Sequence, residues 1–389
     1  MVARTKPLGI AFLAPTPPPV MGPSIATEIV LRGPLPTDLE IFHIDTADRR
    51  GLETLGRIDF ANLWNAVRTA GRLVWTLLRH RPKLVYIPIS QTRIGYLRDS
   101  VYMLIAWLFR RRIALHLRGA AFGDFHARSG APLRAWIRWT LRRADGVIVL
   151  GESLRAIFEP FVPRERIHVV PNGEDFPEFD GLGRDYRARD SFHVVYLGNL
   201  IPLKGVDDLL RAAPLVVACH PGTRFTFAGA WRSDGFRTWA ETFARRHGLA
   251  NVRFAGPVDR ARKTALLREA DLFVFPSTRE GHPWVIVEAL AAGLPIISCD
   301  AGCIRESVLD GRNGRLVPMR DHETLAKTIN NLLADPERLG SMAAESRRHY
   351  LSRFTRSDFR HALFEAMREA GGGRVKPEVV RLSEGGGGA

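Results

Sequence analysis

Cysteine is scarce: the 389 residues contain three, Cys219, Cys299 and Cys303. So small and odd a set excludes a disulfide framework and fits a reducing compartment. The C-D-A-G-C spacing that ends at Cys303 lacks the second ligand pair of a zinc site. Long apolar runs are missing too. The longest, Val101 to Phe109, falls well short of the ~20 residues that span a bilayer, and Pro15 interrupts the apolar stretch near the N-terminus. No cleaved leader and no membrane span are therefore expected. Acidic residues are outnumbered, 41 Asp and Glu against 56 Lys and Arg, giving a net charge of +15. Such an excess implies an anionic partner: nucleic acid, an acidic lipid surface or a phosphorylated substrate. Neither a zinc finger nor an RNA-recognition signature accompanies it, so a nucleic-acid partner is not expected. A G-x-G-x-x-G fingerprint with a following acidic ribose residue is also lacking, which weighs against a nicotinamide dehydrogenase. No Asp-x-Asp cluster stands at a strand end, so no metal ligand is assigned.

What is present describes a folded α/β protein. Hydrophobic residues make up 46% and charged residues 25%, and this length accommodates two or three domains of roughly 150 residues. Short β-rich runs alternate with longer amphipathic stretches. The first series of strands is expected at 8–14, 40–43, 84–89, 113–117, 146–150 and 167–170. The second is expected at 192–197, 224–228, 252–255, 272–275, 295–298 and 315–317. Near-continuous apolar strands of this kind suit parallel sheets covered on both faces. Two series imply two doubly wound domains, 1–185 and 186–353, joined through the polar stretch Gly173–Asp190. A helix over 354–370 and a flexible, glycine-rich tail over 371–389 follow.

Open α/β sheets bind ligands beyond the carboxyl ends of their strands, so the loops there carry the chemistry. The segment from Phe273 to Ser307 is the richest. Its loop holds Glu280, Gly281 and His282; Pro283 then opens a helix over about 283–292, which Gly293 stops. The helix's free N–H groups form an anion site suited to a diphosphate. Glu288 lies five residues on, roughly 7–8 Å along the axis, among Ile286, Val287, Ala289 and Leu290. A carboxylate in that company needs a partner. The loop after the first strand of the second domain carries Gly198, where backbone can approach a ligand. It also carries Lys204, a compact counter-charge for phosphate.

These residues resemble the retaining GT-B glycosyltransferases, specifically glycosyltransferase family 4, the glycosyl transferases of group 1. The resemblance covers nearly the whole second domain. It rests on G-x-L-x-P-x-K-G at 198–205, VRFAGPVDR at 252–260, and E-x7-E from Glu280 to Glu288. EALAAGLPII and VLDGRNGRLVP follow in order, and VVPNGED at 169–175 matches at the domain join. The resemblance implies a GT-B fold, with two Rossmann-like domains facing across a cleft. It implies a retaining, metal-independent hexosyltransferase whose co-substrate is a nucleotide-diphosphate sugar, with no further cofactor. Glu288 would bind the ribose hydroxyls. Glu280 would contact the transferred sugar. Lys204 would neutralise the diphosphate together with the helix amino end and the loop N–H groups over the stretch His282, Pro283, Trp284 and Val285, in which the proline itself carries none. Gly256, Pro257 and Val258 would border the base. In the first domain, Gly22 would lie over the donor and His116 near the sugar.

Three positions depart from the family pattern. Asn199 stands where a basic residue commonly follows Gly198, leaving the charge to Lys204 alone or to an arginine elsewhere, such as Arg118 or Arg260. The loop PTPPPVMGPS stands where paired glycines are common, and Cys303 replaces the second glycine of another pair. Alternatives of other kinds are a sugar-nucleotide epimerase of the same fold and a basic nucleic-acid-binding protein.

Between Arg68 and Arg143 the chain holds sixteen Lys and Arg against two Asp. The stretches LWNAVRTAGRLVWTLLRHR and PLRAWIRWTLRR read as basic amphipathic helices rich in tryptophan. That pattern suits an anionic membrane surface, so a peripheral position at the inner face of the cell membrane is expected, with a lipid-linked or glycan acceptor.

Overall fold

The structure, a computed structural model, describes residues 6–50, 59–187 and 191–373. The remainder of the expected tail, 374–389, lies outside the described residues. All twelve expected strands form, each within two residues of its expected bounds. Strands β1 (Leu8–Ala14), β2 (Leu39–Asp45), β3 (Leu84–Ile89), β4 (Arg112–Leu117), β5 (Gly146–Val149) and β6 (Ile167–Val169) build one sheet. Strands β7 (His193–Leu197), β8 (Arg224–Ala228), β9 (Val252–Gly256), β10 (Leu272–Phe275), β11 (Ile296–Cys299) and β12 (Gly314–Val317) build the other. The orders are β2-β1-β3-β4-β5-β6 and β12-β11-β10-β7-β8-β9, and every pairing is parallel. Both are Rossmann-like. Direction along each sheet reverses between β1 and β3 and between β7 and β10, the switch points where such sheets open crevices.

Helices cover both faces, which is why the strands are apolar throughout. In the first half they are α1 (Gly22–Arg32), α2 (Phe60–Arg79), α3 (Arg93–Leu108), α4 (Phe122–Arg128) and α5 (Ala131–Leu141). The second half adds α6 (Val206–Cys219), α7 (Asp234–Arg246), α8 (Arg260–Glu269), α9 (Trp284–Ala291), α10 (Ile304–Ser307), α11 (His322–Leu333) and α12 (Pro336–Arg353). Last comes α13 (Arg356–Ala370), started by a reciprocal cap between Thr355 and Asp358.

Although it follows the second domain in sequence, α13 packs on the first. Phe359, Leu363, Phe364 and Met367 share a buried cluster with Ile10, Phe12, Leu84 and Tyr86 of β1 and β3. Arg360 Nη1 donates to the carbonyls of Ile29 and Val30, each at 2.8 Å, satisfying groups that the last turn of α1 leaves unpaired. Arg368 pairs with Asp38 at 2.8 Å. The chain thus crosses between domains twice, at the stretch after β6 and again at α13.

Candidate active site in the interdomain cleft

The loops that leave β7 and β10 meet the first domain across a pocket of about 270 Å³. Backbone geometry fixes its floor. Gly198 has φ +150, and a Cβ at Gly229, the corresponding residue after β8, would lie 1.7 Å from the Gly198 carbonyl oxygen. Only glycine allows the two loops to pass so closely. Gly205, at φ +71, ends the short turn Pro202–Lys204 and would collide with the Pro276 carbonyl if it carried a Cβ. That turn holds Lys204 against the β10 loop. Lys204 Nζ lies 2.5 Å from Glu280 Oε1 and 3.3 Å from the Arg279 carbonyl.

Two helix amino ends converge on the same space. Helix α9 begins at Trp284, with Pro283 in the capping position at φ −74, ψ 127. The helix therefore starts one residue later than the sequence suggests, because proline's ring fixes φ but leaves ψ free to be extended. No side chain caps that end and no acid occupies its first turn. Helix α1 begins at Gly22, also without an acid in its first turn, and a Cβ on Gly22 would meet the Trp284 ring nitrogen at 3.0 Å. The preceding proline-rich loop is held by Ser24, whose hydroxyl donates toward the carbonyls of Pro19 and Met21 and accepts from Met21 N. Aligned peptide dipoles at both ends favour an anion here.

Of the residues singled out in the sequence, Gly22, Gly198, Asn199, Lys204 and Glu280 line this pocket, as do Gly281, His282, Pro283, Trp284 and Val285. Gly256, Pro257 and Val258 are not among its lining residues; they stand at the end of β9 and in the loop that follows. Glu288 lies deeper, on the buried side of α9. Its partner is Lys263 of α8, in contact with Oε1, while Oε2 is buried with no partner. Burial raises the Glu288 carboxyl above its ordinary range, and Lys263 opposes that shift. An acceptor-only oxygen left unpaired at 5% residue exposure suits a ligand hydroxyl donor. Lys263 was not singled out in the sequence; the need of a buried Glu288 for a partner was its only signal.

His116 is not at the pocket. On β4, side chains alternate between faces: Leu115 and Leu117 join one core, whereas Ala114 points to the other. His116 shares the latter face, where Nδ1 lies 2.6 Å from the Tyr86 hydroxyl and Nε2 is buried without a partner. Burial, then Arg118, holds its pKa well below the ordinary value, so the ring is neutral. Arg118, two residues on and past the strand's end, is the residue that reaches the pocket wall.

His282 touches the pocket but its ring nitrogens are occupied. Asn172 N donates to Nδ1 at 3.2 Å, so Nε2 carries the proton and faces the Ser307 hydroxyl at 2.9 Å. Burial, with Arg353 and His349 adding to it, lowers its pKa to about 3. An unfolded histidine titrates near ~6.5, so this group's contribution to stability is present above that pH and is lost as pH falls toward ~3. His282→Asn is accordingly expected to flatten the dependence of the urea midpoint on pH between 7 and 4.5. The slope removed approaches ~1.4 kcal/mol per pH unit. An unchanged slope would show that the ring is not buried neutral.

The domains are clasped around the site. A Cβ on Gly281 would lie 2.9 Å from Leu150 and one on Gly151 would lie 2.5 Å from Cys303 Sγ. Cys303, which stands in place of a glycine, is buried in the first domain's core. Glu306 accepts from the backbone of Glu152 and Ser153 at 3.0 and 3.1 Å, and Arg279 pairs with Asp124. Beside the pocket, a cavity of about 410 Å³ opens in the first domain between the ends of β1 and β3, under α2 and α3. Leu13, Ile87, Leu63, Ile94 and Tyr102 line it, and Arg118 borders both spaces. Among the described residues, no group of three or more His, Cys, Asp or Glu is arranged to hold a metal ion.

Two six-stranded, Rossmann-like sheets with a cleft between their switch points define the GT-B fold. Solved structures agree. Anabaena Alr3699/HepE in complex with UDP matches 93% of this chain and 99% of its own at TM-score 0.70 and 20% identity. A glycosyltransferase from Rickettsia africae matches 94% and 99% at TM-score 0.73 and 13% identity. In sequence, the family described as Glycosyl transferases group 1 matches residues 191–335, and that described as Glycosyl transferase 4-like domain matches 26–173. The chain belongs to the group 1 glycosyltransferases. Glycogen synthase of Mycobacterium tuberculosis is 33% identical over 56% of this chain and 52% of its own length. Phosphatidyl-myo-inositol mannosyltransferase of Mycolicibacterium smegmatis is 34% identical over 46% of each. The match thus spans about half the length of these curated relatives.

Proposed function

We propose that the chain transfers a hexose-type sugar, with retention, from a nucleoside-diphosphate donor in the cleft to an acceptor in the first-domain cavity. The observation that carries this reading is the meeting of Lys204, Glu280 and two helix amino ends with no acid in their first turns around one pocket. That arrangement suits a diphosphate beside a carboxylate that can accept from sugar hydroxyls. HepE, which shares the fold, is described in complex with UDP and glucose. In the proposed reaction the bond from C1 to the diphosphate oxygen breaks, with its electron pair leaving on the phosphate. The acceptor oxygen bonds C1 on the same face and its proton passes to the departing phosphate. Lys204 and the helix N–H groups stabilise the charge that develops, work a preorganised site performs without a metal. Glu288 would accept from the ribose. A cavity beside the donor pocket favours transfer over epimerisation, which needs no acceptor. The test is release of nucleoside diphosphate from uridine, guanosine and adenosine diphosphate sugars in the presence of lipid extract. Acceptor-dependent release, with the anomeric proton of the product in the donor's configuration, is expected. Release that ignores the acceptor, or an inverted product, would contradict the reading.

The acceptor is proposed to be lipid-linked and the protein to lie on an anionic membrane face. No helix among the described residues is long and apolar enough to cross a membrane. Helix α2 instead turns Leu73 and Leu77 inward, while Phe60, Leu63, Trp64, Val67, Trp75 and Leu78 are all more than half exposed. These six recur at helical spacing, flanked by Arg68, Arg72 and Arg79. Such a face suits shallow insertion beside anionic headgroups. Trp64→Ser with Trp75→Ser is expected to reduce binding to vesicles of phosphatidylcholine and phosphatidylglycerol at least tenfold. Each of Arg68→Gln and Arg72→Gln should cost about fivefold, on the order of 1 kcal/mol. Unchanged flotation of these variants would contradict membrane docking through α2.

A further inference from the structure

The donor pocket has one lysine, and that lysine is already paired with Glu280 at 2.5 Å. A diphosphate brings more than one negative charge, and Asn199 leaves the glycine loop without a cation of its own. Three arginines stand near enough to be compared. Arg260 is exposed and divided between Glu174 at 3.4 Å and Glu178 at 3.3 Å. Arg232 is exposed, and its Nε donates to Asn199 Oδ1 at 3.3 Å.

Arg118 differs from both. It belongs to the first domain yet shares the pocket wall with Lys204, Gly198 and Asn199. Among the described residues it has no carboxylate partner, and its Nη1 is buried without any hydrogen-bond partner. Its Nη2 donates to the Tyr86 hydroxyl at 3.0 Å. A guanidinium can only donate, so the phenol oxygen accepts from Arg118 and gives its own proton to His116 Nδ1, 2.6 Å away. Tyr86 and His116 are both buried; they fix one edge of the guanidinium and leave the other with an unmet donor. A charged donor held without a partner is unfavourable until an anion meets it.

We propose that Arg118 supplies the second cation on the donor diphosphate, in place of the basic residue absent at Asn199. The proposal rests on the donor-site reading above. It makes diphosphate binding depend on the first domain as well as the second. Because Arg118 also borders the first-domain cavity, the same charge lies where donor and acceptor meet. His116 and Tyr86 are positioning residues that act through it.

The experiment is calorimetric titration of the full chain with uridine, guanosine and adenosine diphosphates, and with the parent nucleosides by ligand-observed NMR. For the base that the wild type binds, Arg118→Ala should weaken diphosphate affinity by roughly 10–100-fold, as expected for loss of a charge-assisted hydrogen bond. Nucleoside affinity and the unfolding midpoint should stay near wild type. Arg118→Lys should recover part of the loss, and Tyr86→Phe should give a smaller loss of the same kind. Unchanged diphosphate affinity in Arg118→Ala, or transfer of the loss to Arg232→Ala, would overturn the proposal and leave the donor site standing. A parallel fall in nucleoside affinity would also overturn it, by making Arg118 structural. A wild type that binds no nucleoside diphosphate would overturn both.

Discussion

Lys204→Ala is expected to lower kcat/KM for sugar transfer by about 10²–10³-fold without unfolding the protein. Removing one preorganised charge or donor from a developing oxyanion has effects of that order. Lys204 is held by a short turn whose closing Gly205 cannot be replaced without striking Pro276. Its ammonium therefore reaches Glu280 with little freedom to lose. Its removal has a second consequence. Glu280, whose side chain is only 10% exposed, is left unpaired beside an incoming anion, and like charges repel. Two effects with one origin are not additive. Lys204→Ala combined with Glu280→Gln should thus be less impaired than the product of the two single losses. Arginine at position 204 should not restore activity, since a planar fork replaces a compact charge. Steady-state kinetics with a saturating acceptor checks this, and a loss below fivefold in Lys204→Ala would contradict the role.

Deleting the chain after Phe354 should destroy the first domain, although the residues removed follow the second. Helix α13 contributes Phe359, Leu363, Phe364 and Met367 to the cluster that covers one face of the first sheet. Gly146 on β5 is so close that a Cβ there would lie 2.8 Å from that of Ala370. A single large-to-small change in such a core costs about 2–5 kcal/mol, against a typical total of ~5–15 kcal/mol. Leu363→Ala should therefore lower the urea midpoint of the first domain clearly, and the truncated chain should lose its cooperative transition. Tryptophan fluorescence reports on it, since Trp64, Trp75, Trp107, Trp136 and Trp139 all lie in the first domain. An unchanged transition after truncation would mean that α13 rests on the sheet without supporting it.

The strands were legible because parallel strands covered on both faces are apolar along their whole length, as in Ile10–Ala14 and Leu272–Phe275. The donor loops were legible because glycine, lysine and glutamate stand at spacings that a strand–loop–helix unit fixes. What sequence reading missed depends on residues far apart in the chain. The resemblance places His116 near the sugar, and Arg118 is one of two arginines offered for the missing phosphate charge; alternation along β4 buries the histidine against Tyr86 and lets the arginine emerge past the strand. Lys263 acquires its meaning only when α8 lies against α9. The Cys303 thiol packs against Gly151, a contact across 152 positions that no local pattern carries. Helix α2 was recognised as amphipathic, but which of its two apolar stripes faces the core is decided by packing alone.

The most direct measurement is a thermal-shift panel with uridine, guanosine and adenosine diphosphates and their sugars, each with and without a chelator. A ligand at 100 times its dissociation constant adds about 2.7 kcal/mol of stability. The expected result is a shift selective for one base, resistant to the chelator, and abolished in Glu288→Ala and Lys204→Ala. No shift with any nucleotide, in wild-type protein that unfolds cooperatively, would contradict the donor site and the transferase reading built on it.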